Sequence, residues 1–176
     1  MPSNRRLTIP ALIAATCLSL GLAGCSSANS TDTPNEQSQS AQNGDASAQF
    51  TDKAGIEQEY RESLGKLEFP AGYTPPETMD NLTADQYEKG FGDTRASFVW
   101  ECAWKRDWLD TYGTNPDEAK KALQQLQTAK DMPYMQGNKV DDAMRQALQE
   151  QLDKAALGDP SAIQQDVEVN CPADWQ

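Results

Sequence analysis

The sequence predicts an all-α fold: a small bundle of about five helices, stapled by one disulfide and preceded by a disordered tether. Three observations point there. Beyond Phe50 the apolar residues recur at helical spacing and show no convincing two-residue alternation. A capping residue followed by proline, a dense helix-start signal, occurs at Asn115-Pro116 and again at Asp159-Pro160. Finally, Cys102 and Cys171 are the cysteines left in this region once an N-terminal apolar leader is set aside.

Residues 1–24 read as that leader. Arg5 and Arg6 form a positive start, and Ile9 to Leu22 is an apolar stretch. A spanning helix needs about 20 apolar residues. This run is shorter, contains Pro10 and Ser19, and has no stop-transfer charges behind it. Leu22-Ala23-Gly24-Cys25 resembles the lipobox of bacterial lipoproteins. The resemblance implies cleavage behind Gly24, a diacylglycerol thioether on Cys25, and a mature chain held by acyl chains at the extracytoplasmic face of the cell membrane. Each buried acyl CH₂ contributes about 0.8 kcal/mol, so two chains make a durable anchor. The alternative is an ordinary secretory signal in which Cys25 is incidental.

Residues 25–49 are the expected lipidated tether. Ser26 to Gln49 is Ser, Ala, Asn, Gln, Thr and Asp with almost nothing to bury, so it cannot offset an ordering entropy of about 1–2 kcal/mol per residue. The helical domain is expected over 50–176. Thr51 or Asp52 caps a first helix with Ile56, Tyr60 and Leu64 on one side and Gly65 as terminator. Leu67 to Asn81, with Phe69-Pro70, Gly72 and Pro75-Pro76, reads as an extended loop. Thr83 and Asp85 suggest a short helix interrupted by Gly90 and Gly92. Asp93 or Thr94 then opens the most apolar helix, which runs to about Tyr112. Asn115 starts a helix carrying Leu123 and Leu126 until Pro133. Lys139 to Leu157 places Val140, Met144, Ala147, Leu148 and Leu152 on one face, with Gly158 as stop. A short last helix bears Ile163 and Val167. In an extracytoplasmic compartment Cys102 and Cys171 pair by default, contributing about 4 kcal/mol for a loop of that length.

Composition narrows the chemistry. The formal net charge is −12, and loss of a leader carrying Arg5 and Arg6 but no acid makes it more negative still. Such a chain repels nucleic acid and anionic headgroups. The expected partners are therefore the membrane, through the lipid anchor, and an envelope protein or cell-wall ligand. There is no histidine, which removes His-dependent triads and His-bearing zinc sites. Neither a phosphate-cradling glycine loop nor EF-hand spacing occurs, so no cofactor or metal is expected.

What remains is carboxylate chemistry and aromatic surface. Trp100, Trp104, Trp108 and Tyr112 recur every four residues along the most apolar helix, with Glu101 projecting among them. A carboxylate among indoles has a raised pKa, as a general acid requires. Trp100-Glu101-Cys102-Ala103-Trp104 faintly resembles the Cys-Glu-Ser element of actinobacterial resuscitation-promoting factors. The order is inverted and the Gly-rich run is missing, so that family's activity does not carry over. The simpler expectation is that Glu101 pairs with Lys105 one turn on, while the tryptophans form core. Tyr73, in the Pro-rich loop, is a further candidate for presenting a ring, or else an anchor for the loop. Two functions follow. One is a non-enzymatic, membrane-anchored interaction or ligand-binding module of the envelope. The other is a small carboxylate-dependent cell-wall glycoside hydrolase using Glu101.

Overall fold

The computed structural model describes residues 49–175; the leader, Cys25 and nearly all of the tether lie outside them. The architecture is all-α, five helices with one very short two-stranded ribbon. Strand β1 (Phe50–Thr51) leads into helix α1 (Lys53–Leu64), and strand β2 (Tyr87–Glu88) precedes α2 (Phe91–Thr111). Helix α3 (Pro116–Leu126) is followed by two 3₁₀ turns, Ala129–Asp131 and Pro133–Met135, then α4 (Asp142–Ala156) and α5 (Ser161–Asn170). Among the described residues no helix is long and apolar enough to cross a membrane.

Four of the five helix starts are held by a side-chain carboxylate or amide. Asp52, Asn115 and Asp141 accept hydrogen bonds from the backbone N–H three residues on, at 2.8, 3.4 and 2.8 Å. Helix α2 has no cap of its own, because Gly90 precedes it with φ +95°. Its end is satisfied from α1 instead: the Glu59 carboxylate accepts from Gly90 N–H at 2.8 Å and Asp93 N–H at 2.9 Å, placing a negative charge on the positive end of the helix dipole.

Four local expectations are corrected. The segment after Thr83 is not a short helix: Tyr87 and Glu88 pair antiparallel with Thr51 and Phe50. Helix α2 begins at Phe91, so Gly92 lies within it rather than before it. A Cβ on Gly92 would sit 2.7 Å from the Ile56 carbonyl oxygen and 2.8 Å from Tyr60 N. Glycine there marks the close approach of α1 and α2, not a break. Helix α3 ends at Leu126, short of Pro133, and hands over to the two 3₁₀ turns, the second of which begins at that proline. Helix α4 starts after its Asp141 cap, later than Lys139.

Helix α2 is the centre. From Val99 to Lys105 seven consecutive residues are buried, which only a helix covered on every side allows. One side carries Trp100, Trp104 and Trp108 against Ala119, Ala122, Leu126, Leu152 and Ile163. The other carries Ala96, Val99 and Cys102 against Tyr60, Met79 and Trp175. The disulfide Cys102–Cys171, with Cα atoms 5.6 Å apart, fixes the chain after α5 to the middle of α2. Arg106 reinforces it, donating to the carbonyls of Cys171 (3.0 Å), Pro172 (2.7 Å) and Trp175.

Trp104 is fully buried and its indole N–H donates to the Glu68 carbonyl at 2.9 Å. Trp104→Ala is therefore expected to cost about 3–5 kcal/mol, read from urea unfolding. Replacing both Cys102 and Cys171 by Ala should cost about 4 kcal/mol, and thiol labelling of native domain should find neither cysteine free.

Candidate functional site

The chemistry of this domain collects where α2, α4, α5 and the second 3₁₀ turn meet. Lys105, on the fourth turn of α2, is 2% exposed. An ammonium cannot remain there without compensating charge. Its Nζ lies 2.5 Å from Glu101 Oε1 and 2.6 Å from Asp166 Oδ2 of α5. The Tyr134 hydroxyl donates to Glu101 Oε2 at 2.5 Å. Asp166 Oδ1 accepts from Asn170 Nδ2 at 2.9 Å and from Gln151 Nε2 of α4 at 3.3 Å. Four elements thus send a polar group to one buried point.

The titration behaviour follows from that geometry. Burial alone would push Lys105 down, but the charges of Glu101 and Asp166 and their hydrogen bonds prevail and hold it above its ordinary value. Burial likewise opposes ionisation of Asp166; the Lys105 charge, with the Lys105, Asn170 and Gln151 hydrogen bonds, prevails and lowers it. Tyr134 is driven well up by burial and then by the adjacent Glu101 carboxylate, so it remains a hydrogen-bond donor. Within the cluster Lys105 is therefore an ammonium and Asp166 a carboxylate, with a neutral Tyr134 phenol.

Above the cluster opens a cleft of about 470 Å³. Its apolar wall comprises Phe98, Met135, Met144 and Leu148, its polar wall Arg95, Gln151 and Asn170, and Trp175 also lines it. Phe98 is 38% and Met144 50% exposed, although both belong to apolar helix faces. The cleft continues past Phe98, Tyr134 and Met144 into a groove of about 450 Å³ reaching Tyr87 and Phe91. Together they leave Phe98, Met144 and Phe91 exposed along one continuous surface.

The residues singled out in the sequence separate into two groups. Trp100, Trp104 and Trp108 are core, as the all-round apolar helix implies, and none lines the cleft. Tyr73 is an anchor: it stacks on Phe69 with ring centroids 5.4 Å apart, and its hydroxyl donates to the Trp175 carbonyl at 3.2 Å. A groove of about 450 Å³ beneath that loop is lined by Tyr73, Arg106 and Asp107, but Tyr73 and Arg106 are already committed to holding the C-terminal segment. Of the candidate binding residues, Glu101 alone reaches the cleft. Its pairing with Lys105 occurs as expected, yet it is buried and three-way rather than an exposed surface pair, because Asp166 and Tyr134 close over it. Both Glu101 oxygens are occupied, and the Lys105 ammonium fills the space between Glu101 and Asp166. Two-carboxylate glycosidases keep that space for substrate oxygen and water, and here the Lys105 ammonium occupies it.

Asp166, Tyr134, Arg95 and Gln151 had escaped the sequence reading. The one available signal was a lysine on a helix otherwise apolar on all sides, which requires buried counter-charge; nothing local in the sequence says which acid supplies it.

Removing Lys105 strands two carboxylates side by side. Lys105→Met is expected to cost about 3–5 kcal/mol at pH 7, and less near pH 4.5 as the stranded acids take up protons, measured by urea unfolding at both values. In the parent protein the lowered Asp166 contributes stability above its unfolded pKa and loses it as pH falls through the folded value. The raised Lys105 contributes below its unfolded pKa and loses it as pH rises through the folded value. Stability should thus be level between about pH 5 and pH 10 and fall on either side. No protein-family model, curated protein or solved structure matches this chain, so the reading of the cleft rests on its own residues.

Proposed function

We propose that the chain is a membrane-anchored envelope lipoprotein whose helical domain is a non-enzymatic ligand-binding module, and that the cleft over the Glu101–Lys105–Asp166 cluster is its binding site. The observation that carries this reading is the cleft itself: about 470 Å³, apolar on one side, with a charged and hydrogen-bonded floor. Concave sites of this size, mostly apolar with a few convergent polar groups, are the usual form of a small-molecule site. The lipobox-like Leu22-Ala23-Gly24-Cys25 and the polar stretch behind it supply the anchor and the reach.

Two measurements test the proposal. Cys25→Ala should move the protein from the membrane fraction into unprocessed precursor or medium; a mature-sized variant that stays membrane-bound would refute the anchor. Full-length protein incubated with the low-molecular-weight fraction of its native envelope should carry a bound mass in native mass spectrometry. Ala147→Trp, which places an indole at the exposed cleft wall on α4, should abolish that mass while leaving the unfolding midpoint unchanged. Equal retention by parent and variant would remove the cleft from the function.

A further inference from the structure

Resting on the cleft as a ligand site, we infer that its ligand is an amphipathic monocarboxylate, with the carboxylate on Arg95 and the apolar chain over Phe98 and Met144. Arg95 is half-buried in the cleft wall, and its guanidinium lies 4.4 Å from the centroid of the Trp175 ring. Stacking uses the face of the group and leaves its N–H edge, a planar fork whose geometry matches a carboxylate. Arg106, three turns further on, spends that edge on three carbonyls. Lys105 is committed to Glu101 and Asp166, whereas Arg95 forms no ion pair among the described residues. Of the two cations lining the cleft, Arg95 is therefore the one left to meet a ligand.

The surrounding charge fixes the sign of that ligand. Arg95, Lys105, Lys89 and Lys139 line the cleft and the adjoining groove, against the acidic residues Glu88, Glu101 and Asp166. On a chain of formal net charge −12 this is a local excess of positive charge, and it favours an anion. The excess is a single charge, and the floor of the cleft holds Glu101 and Asp166. A dianionic phosphate would be repelled there more strongly than a monoanion.

The apolar part follows from position. Phe98 lies one turn after Arg95 on α2, and residues so spaced are neighbours on a helix surface. Phe98 and Met144 are both exposed, and both line the cleft and the groove alike. A carboxylate held by Arg95 thus has its first methylenes against the Phe98 ring and its chain against Met144, whose flexible thioether adapts to what it covers.

The test is calorimetric titration of octanoate, hexanoate and octanamide into full-length protein in lipid nanodiscs, with protein-free nanodiscs as the blank. Octanoate is expected to bind about tenfold tighter than octanamide, as a charge-assisted pair implies. It should exceed hexanoate by about fourfold per added methylene, or about 0.8 kcal/mol each. In Arg95→Gln the acid and the amide should bind alike, whereas Lys66→Gln, which removes an exposed cation elsewhere, should leave the preference intact. Met144→Glu, at an exposed position, should remove the gain from chain length. Equal affinity of acid and amide for the parent protein overturns the carboxylate assignment, and so does an undiminished preference in Arg95→Gln. Absence of binding by all three probes overturns the proposal. An envelope-derived mass still retained by the parent and lost in Ala147→Trp then leaves the cleft standing as a site, whereas its absence removes both.

Discussion

A lysine buried in the middle of the central helix is the constraint around which this domain is arranged. The middle of helix α2 is covered on nearly all sides, so Lys105 is almost wholly withdrawn from water and must find its counter-charge inside the fold. Glu101, one turn earlier, is the local half of the answer; Asp166 on α5 is the distant half, and Asn170 and Gln151 then satisfy the rest of Asp166. Buried ion pairs of this kind add little net stability, because desolvation offsets most of the attraction. Their consequence here is positional. Helix α5 meets α2 where Asp166 faces the ammonium, and the Tyr134 turn meets it where its hydroxyl faces Glu101.

The second constraint is the pinned C-terminal segment. The disulfide, the three carbonyls held by Arg106 and the Tyr73 hydroxyl together order Cys171 to Trp175 across α2. This fastening holds a five-residue segment outside any helix, with Trp175 buried at its end. With it, Trp175 becomes both core and cleft wall, and Arg95 acquires the ring over which it stacks. The same residues that close the fold thereby shape the concavity at this end of the molecule.

Apolar helical faces are wider here than the core requires. Met144 and Ala147 fall on the apolar face of α4, and Phe98 on the apolar α2, yet all three are exposed along the cleft. A face patterned as though it were all interior, but left partly uncovered, is what a binding surface looks like at the level of composition. No periodicity distinguishes it from core, since both ask for the same residue types at the same spacing.

The local chemistry of the chain was therefore legible in its sequence. Helical periodicity, the Asp52 and Asn115 caps, Gly158 behind α4, the burial of the tryptophans and the Cys102–Cys171 pairing all depend on neighbours along the chain or on there being two thiols to pair, and the structure agrees with each. The exceptions were local as well: Gly92 punctuates nothing because a close helix crossing requires it, and Tyr87-Glu88 pairs with Phe50-Thr51 through backbone bonds that leave no side-chain pattern. What only the tertiary structure decided was which distant groups meet. Asp166 and Lys105 are 61 positions apart, and Tyr134 and Glu101 are 33 apart. Among 27 acidic residues nothing marks Asp166 as the one that must face a buried ammonium. That choice is made by the docking of α5 on α2, and with it the cleft and its polarity.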